Sequence, residues 1–172
     1  MVRLGGALLV LLSSSLIGWL GADKFINRVT QLEQLELAIN LLQMDINFRQ
    51  KQLPEVLRAV SRDLQPPVAI LFEETGKRIK TEPGVLFYNI WEQVLKNKQQ
   101  YLALNKKDLL FLKEWGLRMG SSSIEEQEKI NRLTLKKIKM AHREARQEAA
   151  RKVKLYRCGG ILIGLSLVIL FF

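Results

Sequence analysis

The sequence contains few of the residues that build redox, metal and catalytic sites. Its 172 residues include one cysteine, Cys158, and one histidine, His142. A single cysteine excludes an intrachain disulfide, and the two residues are too few for a His/Cys metal cluster. A catalytic triad would have to use His142. His142 lies in a basic stretch, and we interpret it as a solvated side chain.

Enzyme signatures are also absent. The sequence has no P-loop, no dinucleotide-binding glycine motif, no H-E-x-x-H and no C-x-x-C. The adjacent acids Glu73 and Glu74 are typical of a helix surface, and a cation site there would need ligands that the sequence does not identify. We therefore expect a protein that is not an enzyme, with no catalytic residue, no metal and no cofactor.

Charged residues are missing near both ends of the chain. The nineteen residues 4–22 and the fifteen residues 158–172 carry no charge. As helices these segments would measure roughly 28 Å and 22 Å, against about 30 Å for the hydrocarbon core of a bilayer. Leu155, Tyr156 and a snorkelling Arg157 would lengthen the second segment. The sequence predicts transmembrane helices over residues 1–22 and 158–172, which flank a domain over residues 23–157.

The first apolar segment has an alternative interpretation as a cleaved signal peptide. Arg3 would be its charged start, and Leu20-Gly21-Ala22 would be a poor cleavage site. A secreted domain would then have to carry the basic residues 151–157 across the membrane, which favours the transmembrane interpretation.

Basic residues are concentrated beside the second apolar segment. The chain has a net charge of +10, and nine basic but only two acidic residues lie between positions 136 and 157. Lys24 and Arg28 follow the first segment. Because positive residues next to membrane segments mark the cytoplasmic side, residues 23–157 are predicted to be cytoplasmic.

The same basic cluster predicts a contact with anionic lipid headgroups. The residues predicted to lie at the membrane surface are Arg151, Lys152, Lys154 and Arg157. A chain with a pI of about 9.9 also raises the alternative of nucleic-acid binding. The cluster lacks interleaved aromatic residues apart from Tyr156, so we do not expect a nucleic-acid partner.

Small residues recur at a spacing of four in both apolar segments. They are Ser14, Gly18 and Ala22 in the first, and Gly160 and Gly164 in the second. Small residues at this spacing let helices approach closely in lipid, which predicts that the two segments pack together or against a partner's helices. Glycine is also simply common in membrane helices, and the spacing does not decide between these explanations.

The middle of the chain has the periodicity of an all-α domain, predicted as a six-helix bundle. Residues 29–48 have one apolar face with Leu35, Ala38, Ile39, Leu42 and Ile46, and a second with Leu37, Leu41, Met44 and Phe48. A helix apolar on so much of its circumference is central in a bundle or shared with a partner. Trp91 is predicted to be buried.

Prolines and glycines divide the middle into helices. Pro54 suits a first helical turn, while Pro66-Pro67, Pro83-Gly84 and Gly120 separate later segments. Ser122 or Ser123 is predicted to cap the sixth helix. No proline or glycine follows until Gly159, so this helix is predicted to run from about Ile124 into the second membrane segment.

An ordered series of short patterns resembles the stage III sporulation protein AB family over nearly the whole chain. The patterns are "LLVLLSSSLIGW", "RVTQLEQLELAINLLQMDINF", "LPEVLRAVSRDL", "LFEET", "IWEQVL", "LNKKDLLFLKEWGLRMGSSSIEEQEKI" and "ARQEAARKVKLYRCGGILIGLSLVILF". The chain departs from the family's usual cap, since Gly120 is followed by three serines. Serine also caps helices, so the resemblance is little affected.

The resemblance implies a subunit of a sporulation complex in the mother-cell membrane facing the forespore. It implies a cytoplasmic helical domain similar to the platform protein of type II secretion and type IV pilus machines. Such platforms are thought to dock on a cytoplasmic secretion ATPase, here of the stage III sporulation protein AA type. Other membrane subunits of the complex are further implied partners, and self-association is left open.

For the ATPase we predict a docking surface away from the membrane-proximal basic helix, at turns that project into the cytoplasm. Its candidate residues are Arg49, Lys51, Lys77, Arg78 and Lys80. Solvated loop charges with no partner are the alternative. For the whole chain, the alternative function is an electrostatic adaptor that binds anionic lipid through its basic C-terminal helix.

Overall fold

A computed structural model of the chain describes residues 2–49, 52–119 and 124–171. They form six α-helices, and a short 3-10 turn, Gln99–Tyr101, follows the fourth. No strand occurs in these ranges, so the all-α prediction is confirmed. The helices are α1 (Val2–Arg49), α2 (Leu53–Arg62), α3 (Val68–Thr81), α4 (Phe87–Lys98), α5 (Lys106–Met119) and α6 (Ile124–Phe171).

Both apolar segments are parts of longer helices. α6 begins at Ile124 and includes the C-terminal apolar segment, as the sequence predicts. α1 likewise includes both the N-terminal apolar segment and the first helix of the middle region, whereas the sequence predicts these as separate helices. No proline or glycine lies between Gly21 and Arg49, so nothing in that stretch interrupts the backbone hydrogen bonds.

The chain divides into two compact units that share α1 and α6. The terminal unit contains Met1–Val29 and Glu144–Phe172, and the central unit contains Thr30–Arg143. This division lies at different positions from the predicted boundaries at residues 22 and 157, because those boundaries follow the apolar segments and not the packing.

One helix among the described side chains, α6, contains a stretch long and apolar enough to cross a bilayer. The assignment rests on length and composition. Several side chains at the start of α1 lie outside the described set, and an N-terminal transmembrane helix stays a prediction.

An aromatic cluster occupies the core of the central unit. The ring centroids of Trp91 and Trp115 lie 4.9 Å apart in an edge contact, and Phe72 and Phe87 pack on both rings. Trp91 is completely buried, which confirms its predicted place. Each buried indole N–H has an acceptor: Trp91 donates to the Leu112 carbonyl at 2.9 Å, and Trp115 donates to Asn131 Oδ1 at 2.9 Å.

Local signals set where several helices begin. Pro54 lies in the first turn of α2, and Gly84 has a φ of +91° in the connection before α4, a conformation that favours glycine. α5 begins with a reciprocal cap that we did not predict. The Asn105 side chain accepts from the Asp108 N–H at 2.8 Å, and the Asp108 carboxylate accepts from the Asn105 N–H at 3.0 Å.

Among the described side chains of α1, only one of the two predicted apolar faces is fully buried. Leu35, Ala38, Ile39 and Leu42 have no exposed surface, whereas Leu37 is 39% and Met44 is 59% exposed. The described residues therefore do not enclose the helix on both faces. The side chains of Ile46 and Phe48, and residues Gly120, Ser122 and Ser123, lie outside the described set, so the predictions made for them are not addressed.

Candidate functional site

In the terminal unit, α1 and α6 come into backbone contact at two glycines. A Cβ added to Gly160 would lie 2.7 Å from the Ser14 carbonyl oxygen and 3.1 Å from Gly18 Cα. A Cβ added to Gly18 would lie 2.6 Å from the Tyr156 carbonyl oxygen. Backbone atoms cannot rotate aside as side chains do, so only glycine permits this approach.

The other small residues predicted to pack between the two apolar segments differ in how far they are buried. Ala22 has no exposed surface, Gly164 is buried and Ser14 is half-buried. The Ser14 hydroxyl donates to the Val10 carbonyl at 2.9 Å within its own helix. Among the described contacts, the structure thus joins Ser14, Gly18 and Gly160 directly.

In the terminal unit, basic side chains of residues 152–157 lie against aromatic rings of residues 19–25. The Arg157 guanidinium lies 5.3 Å from the centre of the Trp19 ring, and Lys152 Nζ lies 4.9 Å from the centre of the Phe25 ring. Tyr156 contacts Phe25 with 5.5 Å between ring centroids. Aromatic and basic side chains of this kind are typical of the boundary between a membrane and water.

A carboxylate connects two cations across the same helix pair. Glu148 Oε2 accepts from Arg28 at 3.0 Å, and Glu148 also pairs with Lys152. Arg28 is 7% exposed, so its charge lies almost out of water. The hydrogen bond from Lys152, together with the charges of Lys152 and Arg28, lowers the pKa of Glu148 below its ordinary value.

Replacing Glu148 by glutamine is expected to lower the thermal midpoint of the detergent-solubilised chain at neutral pH by roughly 2–4 °C, or about 1 kcal/mol. The lowered pKa means that the contribution of Glu148 is present above the unfolded-state value near 4.5 and is lost as the pH falls through the folded-state value. The difference between wild type and Glu148→Gln should therefore shrink below about pH 4.5. Glu144→Gln, an exposed change one turn away, is the control, and an equal loss in both variants would contradict the assignment.

The predicted membrane-surface cations separate into two kinds. Lys152 and Arg157 are engaged within the terminal unit by Glu148 and by the Trp19 ring. Arg151 and Lys154 are exposed, and no described carboxylate pairs with either of them. The second pair is therefore better placed to meet a phosphate than the first.

Three of the five predicted ATPase-docking residues have described side chains, and each of these three forms an ion pair. Lys77 pairs with Glu73 at 2.6 Å, and Lys80 Nζ lies 3.8 Å from Glu55. Arg78 donates two hydrogen bonds to Glu82, which lower the pKa of that carboxyl. Lys51 and the side chain of Arg49 lie outside the described set. The three described cations lie on α3, and each already has a carboxylate neighbour.

A groove between α5 and α6 of the central unit was not predicted. Its volume is about 360 Å³, and its lining includes Phe111, Trp115, Leu133 and Met140. Leu133 is 50% and Met140 is 58% exposed at a spacing of seven residues. The seven-residue spacing is visible in the sequence, but only packing reveals that these side chains are uncovered.

Histidine and the paired acids occupy ordinary structural positions. His142 is half-buried, with Nδ1 3.6 Å from Glu36 Oε2, so our interpretation of it as a solvated side chain is wrong. Glu73 and Glu74 pair with Lys77 and Lys98. Among the described residues, no three His, Cys, Asp or Glu side chains come together as a metal site.

The family model described as "Stage III sporulation protein AB" matches residues 3–172. The chain belongs to the stage III sporulation protein AB family. The resemblance seen in the sequence is therefore confirmed.

Two relatives extend the family match. The chain is 26% identical over 170 residues to the stage III sporulation protein AB of Bacillus subtilis (strain 168). This alignment covers 99% of each of the two chains. It is also similar to a solved structure of a stage III sporulation protein AB, with a TM-score of 0.67 and 25% identity. That match covers 72% of this chain and 97% of the solved one.

Proposed function

We propose that this protein is a non-catalytic membrane platform of a sporulation-specific, secretion-like complex. The observation that carries the proposal is that α1 and α6 each take part in both units. The terminal unit exposes large apolar side chains on both helices, with Leu12, Leu16 and Ile17 between 59% and 70% and Ile169 and Leu170 at 76% exposed. Water disfavours such a surface, and lipid would cover it.

In this proposal both ends of the chain insert into the mother-cell membrane that faces the forespore, and the central unit lies in the mother-cell cytoplasm. The basic residues that flank the apolar ends support this orientation. The exposed Arg151 and Lys154 would contact anionic headgroups, while Lys152 and Arg157 would hold the helix pair together.

The central unit would bind a cytoplasmic secretion ATPase of the stage III sporulation protein AA type. We propose that Lys77, Arg78 and Lys80 on α3 contribute to this surface by exchanging their intramolecular carboxylates for those of the ATPase. Exposed ion pairs contribute about 0–1 kcal/mol, so such an exchange requires little energy. Contacts with other membrane subunits would involve the terminal unit.

Simultaneous reversal of charge at Lys77→Glu, Arg78→Glu and Lys80→Glu is expected to weaken ATPase binding by roughly tenfold or more. The reversed side chains would lie beside Glu55, Glu73 and Glu82 and produce a strongly acidic surface. The measurement is retention of the ATPase on the detergent-solubilised full chain at moderate salt. Unchanged binding in this variant, with loss on neutralising Lys152 and Lys154 instead, would refute the α3 surface.

The alternative function is an electrostatic adaptor that binds anionic lipid through the basic end of α6. The exposed Arg151 and Lys154 favour it. An adaptor held only by charge should lose its partners as ionic strength rises, because surface charges are screened within about 10 Å at 0.1 M salt. A platform anchored by its apolar ends should stay in the membrane as ionic strength rises, and it should keep the ATPase at moderate salt.

A further inference from the structure

The groove between α5 and α6 has an apolar floor formed by large side chains. Trp115 and Phe111 line the groove from α5 and are 1% and 8% exposed, so its floor consists of side chains that are already packed within the central unit. Leu133 and Met140 stand at the rim of the groove with more than half of Met140 uncovered. A rigid aromatic floor with flexible apolar side chains at its edge is the composition of sites that receive a partner's apolar residue.

α5 also carries exposed apolar residues at this spacing, beside the residues that line the groove. Leu110 is 58% and Leu117 is 54% exposed, and they are also seven residues apart. Two α-helical turns separate the members of each pair, so each pair spans about 10 Å along its own helix. That length matches two turns of a partner helix and is longer than a single inserted side chain requires.

The polar residues that line this groove are predominantly basic. Arg118, Lys136 and Lys137 line it together with one acid, Glu114. Lys137 Nζ lies 2.7 Å from Glu114 Oε2, so this acid is already neutralised. No described carboxylate pairs with the exposed Lys136. The groove therefore offers an apolar floor and a positive rim.

We propose that this groove binds an acidic amphipathic helix of a partner protein. The occupant would carry apolar residues at positions i, i+3 or i+4, and i+7, facing Leu133 and Met140, and Asp or Glu residues flanking them toward Lys136. A second copy of this chain fits poorly, because the net charge of +10 would bring like charges together at the positive rim. The inference goes beyond the proposed ATPase contact on α3 and does not require it.

The test is site-specific photocrosslinking from the full chain in sporulating cells of its source. The photoreactive residue p-benzoylphenylalanine replaces Met140 in one variant and Leu86, which is 67% exposed in the connection before α4, in a control variant. Products are digested, and the crosslinked segment is identified by mass spectrometry. We expect the Met140 variant, and not the Leu86 variant, to capture one segment of another protein with the stated apolar spacing and acidic flanks.

Charge variants make the result specific to the groove. Lys136→Glu in the Met140 photoreactive background should lower the yield of that product at least roughly fivefold, and Lys136→Arg should retain it. Near-ultraviolet circular dichroism of the tryptophan cluster checks that both variants are folded. The proposal is overturned if the captured species is lipid or a second copy of this chain, if nothing is captured, or if Lys136→Glu leaves the yield unchanged.

Discussion

Replacement of Gly160 by leucine is expected to separate α1 from α6 in the terminal unit. The new side chain would meet the Ser14 carbonyl oxygen and Gly18 Cα, and both belong to the backbone of α1. Helices that pack through larger side chains lie 8–10 Å apart, so the helices should move apart by roughly 3 Å at this level. Such a change removes the close contact that holds the pair.

The neighbouring glycine provides a matched control. A Cβ on Gly159 would meet nothing within 4 Å, so Gly159→Leu adds the same side chain one residue away without touching α1. Spin labels on cysteines introduced at Leu12 and Leu165, in a Cys158→Ser background, report the separation by electron paramagnetic resonance in lipid bilayers. A distance that changes equally in both variants, or in neither, would show that Gly160 does not hold the helices together.

Gly116→Ala is expected to destabilise the central unit by about 2 kcal/mol, or roughly 4–8 °C in Tm. The added methyl group would lie 2.7 Å from Trp91 Nε1 and 2.8 Å from Trp91 Cγ. The indole must then move, which breaks its hydrogen bond to the Leu112 carbonyl and its edge contact with Trp115. By helix propensity alone, alanine would stabilise the helix by about 1 kcal/mol relative to glycine. The expected destabilisation therefore comes from the contact with Trp91 and not from the helix backbone.

A double-mutant cycle tests the cause of this loss. Trp91→Leu removes the indole atoms that the methyl group would meet, and in that background Gly116→Ala should be neutral or slightly stabilising. Thermal unfolding of the full chain in detergent, followed by tryptophan fluorescence, gives the four values. Equal destabilisation by Gly116→Ala in both backgrounds would mean that contacts other than Trp91 limit this position.

The structure separates cations that look equivalent in the sequence. Lys152 and Lys154 are two residues apart, yet Lys152 pairs with Glu148, and no described carboxylate pairs with Lys154. In the proposed function, lipid contact and ATPase contact would both depend on such differences, because a cation already paired with a carboxylate must exchange that partner before it binds another.

Helix type and most helix boundaries follow from the sequence alone. Apolar periodicity identifies the helices, and Pro54, Pro66-Pro67 and Pro83-Gly84 interrupt them through backbone effects that are local in the chain. The continuity of α6 is predicted for the same reason. The continuity of α1 is also visible in the sequence, because no proline or glycine lies between residues 22 and 49. The change from apolar to polar composition in this stretch suggests a boundary that the helix does not have.

The candidate functional features depend on contacts between distant parts of the chain. The amino-acid sequence alone is enough to predict an all-α protein of the stage III sporulation protein AB family, with apolar ends and basic residues just before the second of them. The packing of the helices places Arg28 against Glu148, 120 positions away, and leaves the groove between α5 and α6 open among the described residues. Helical periodicity determines which residues share a face, but the burial and pairing of those residues depend on which other helix packs against that face.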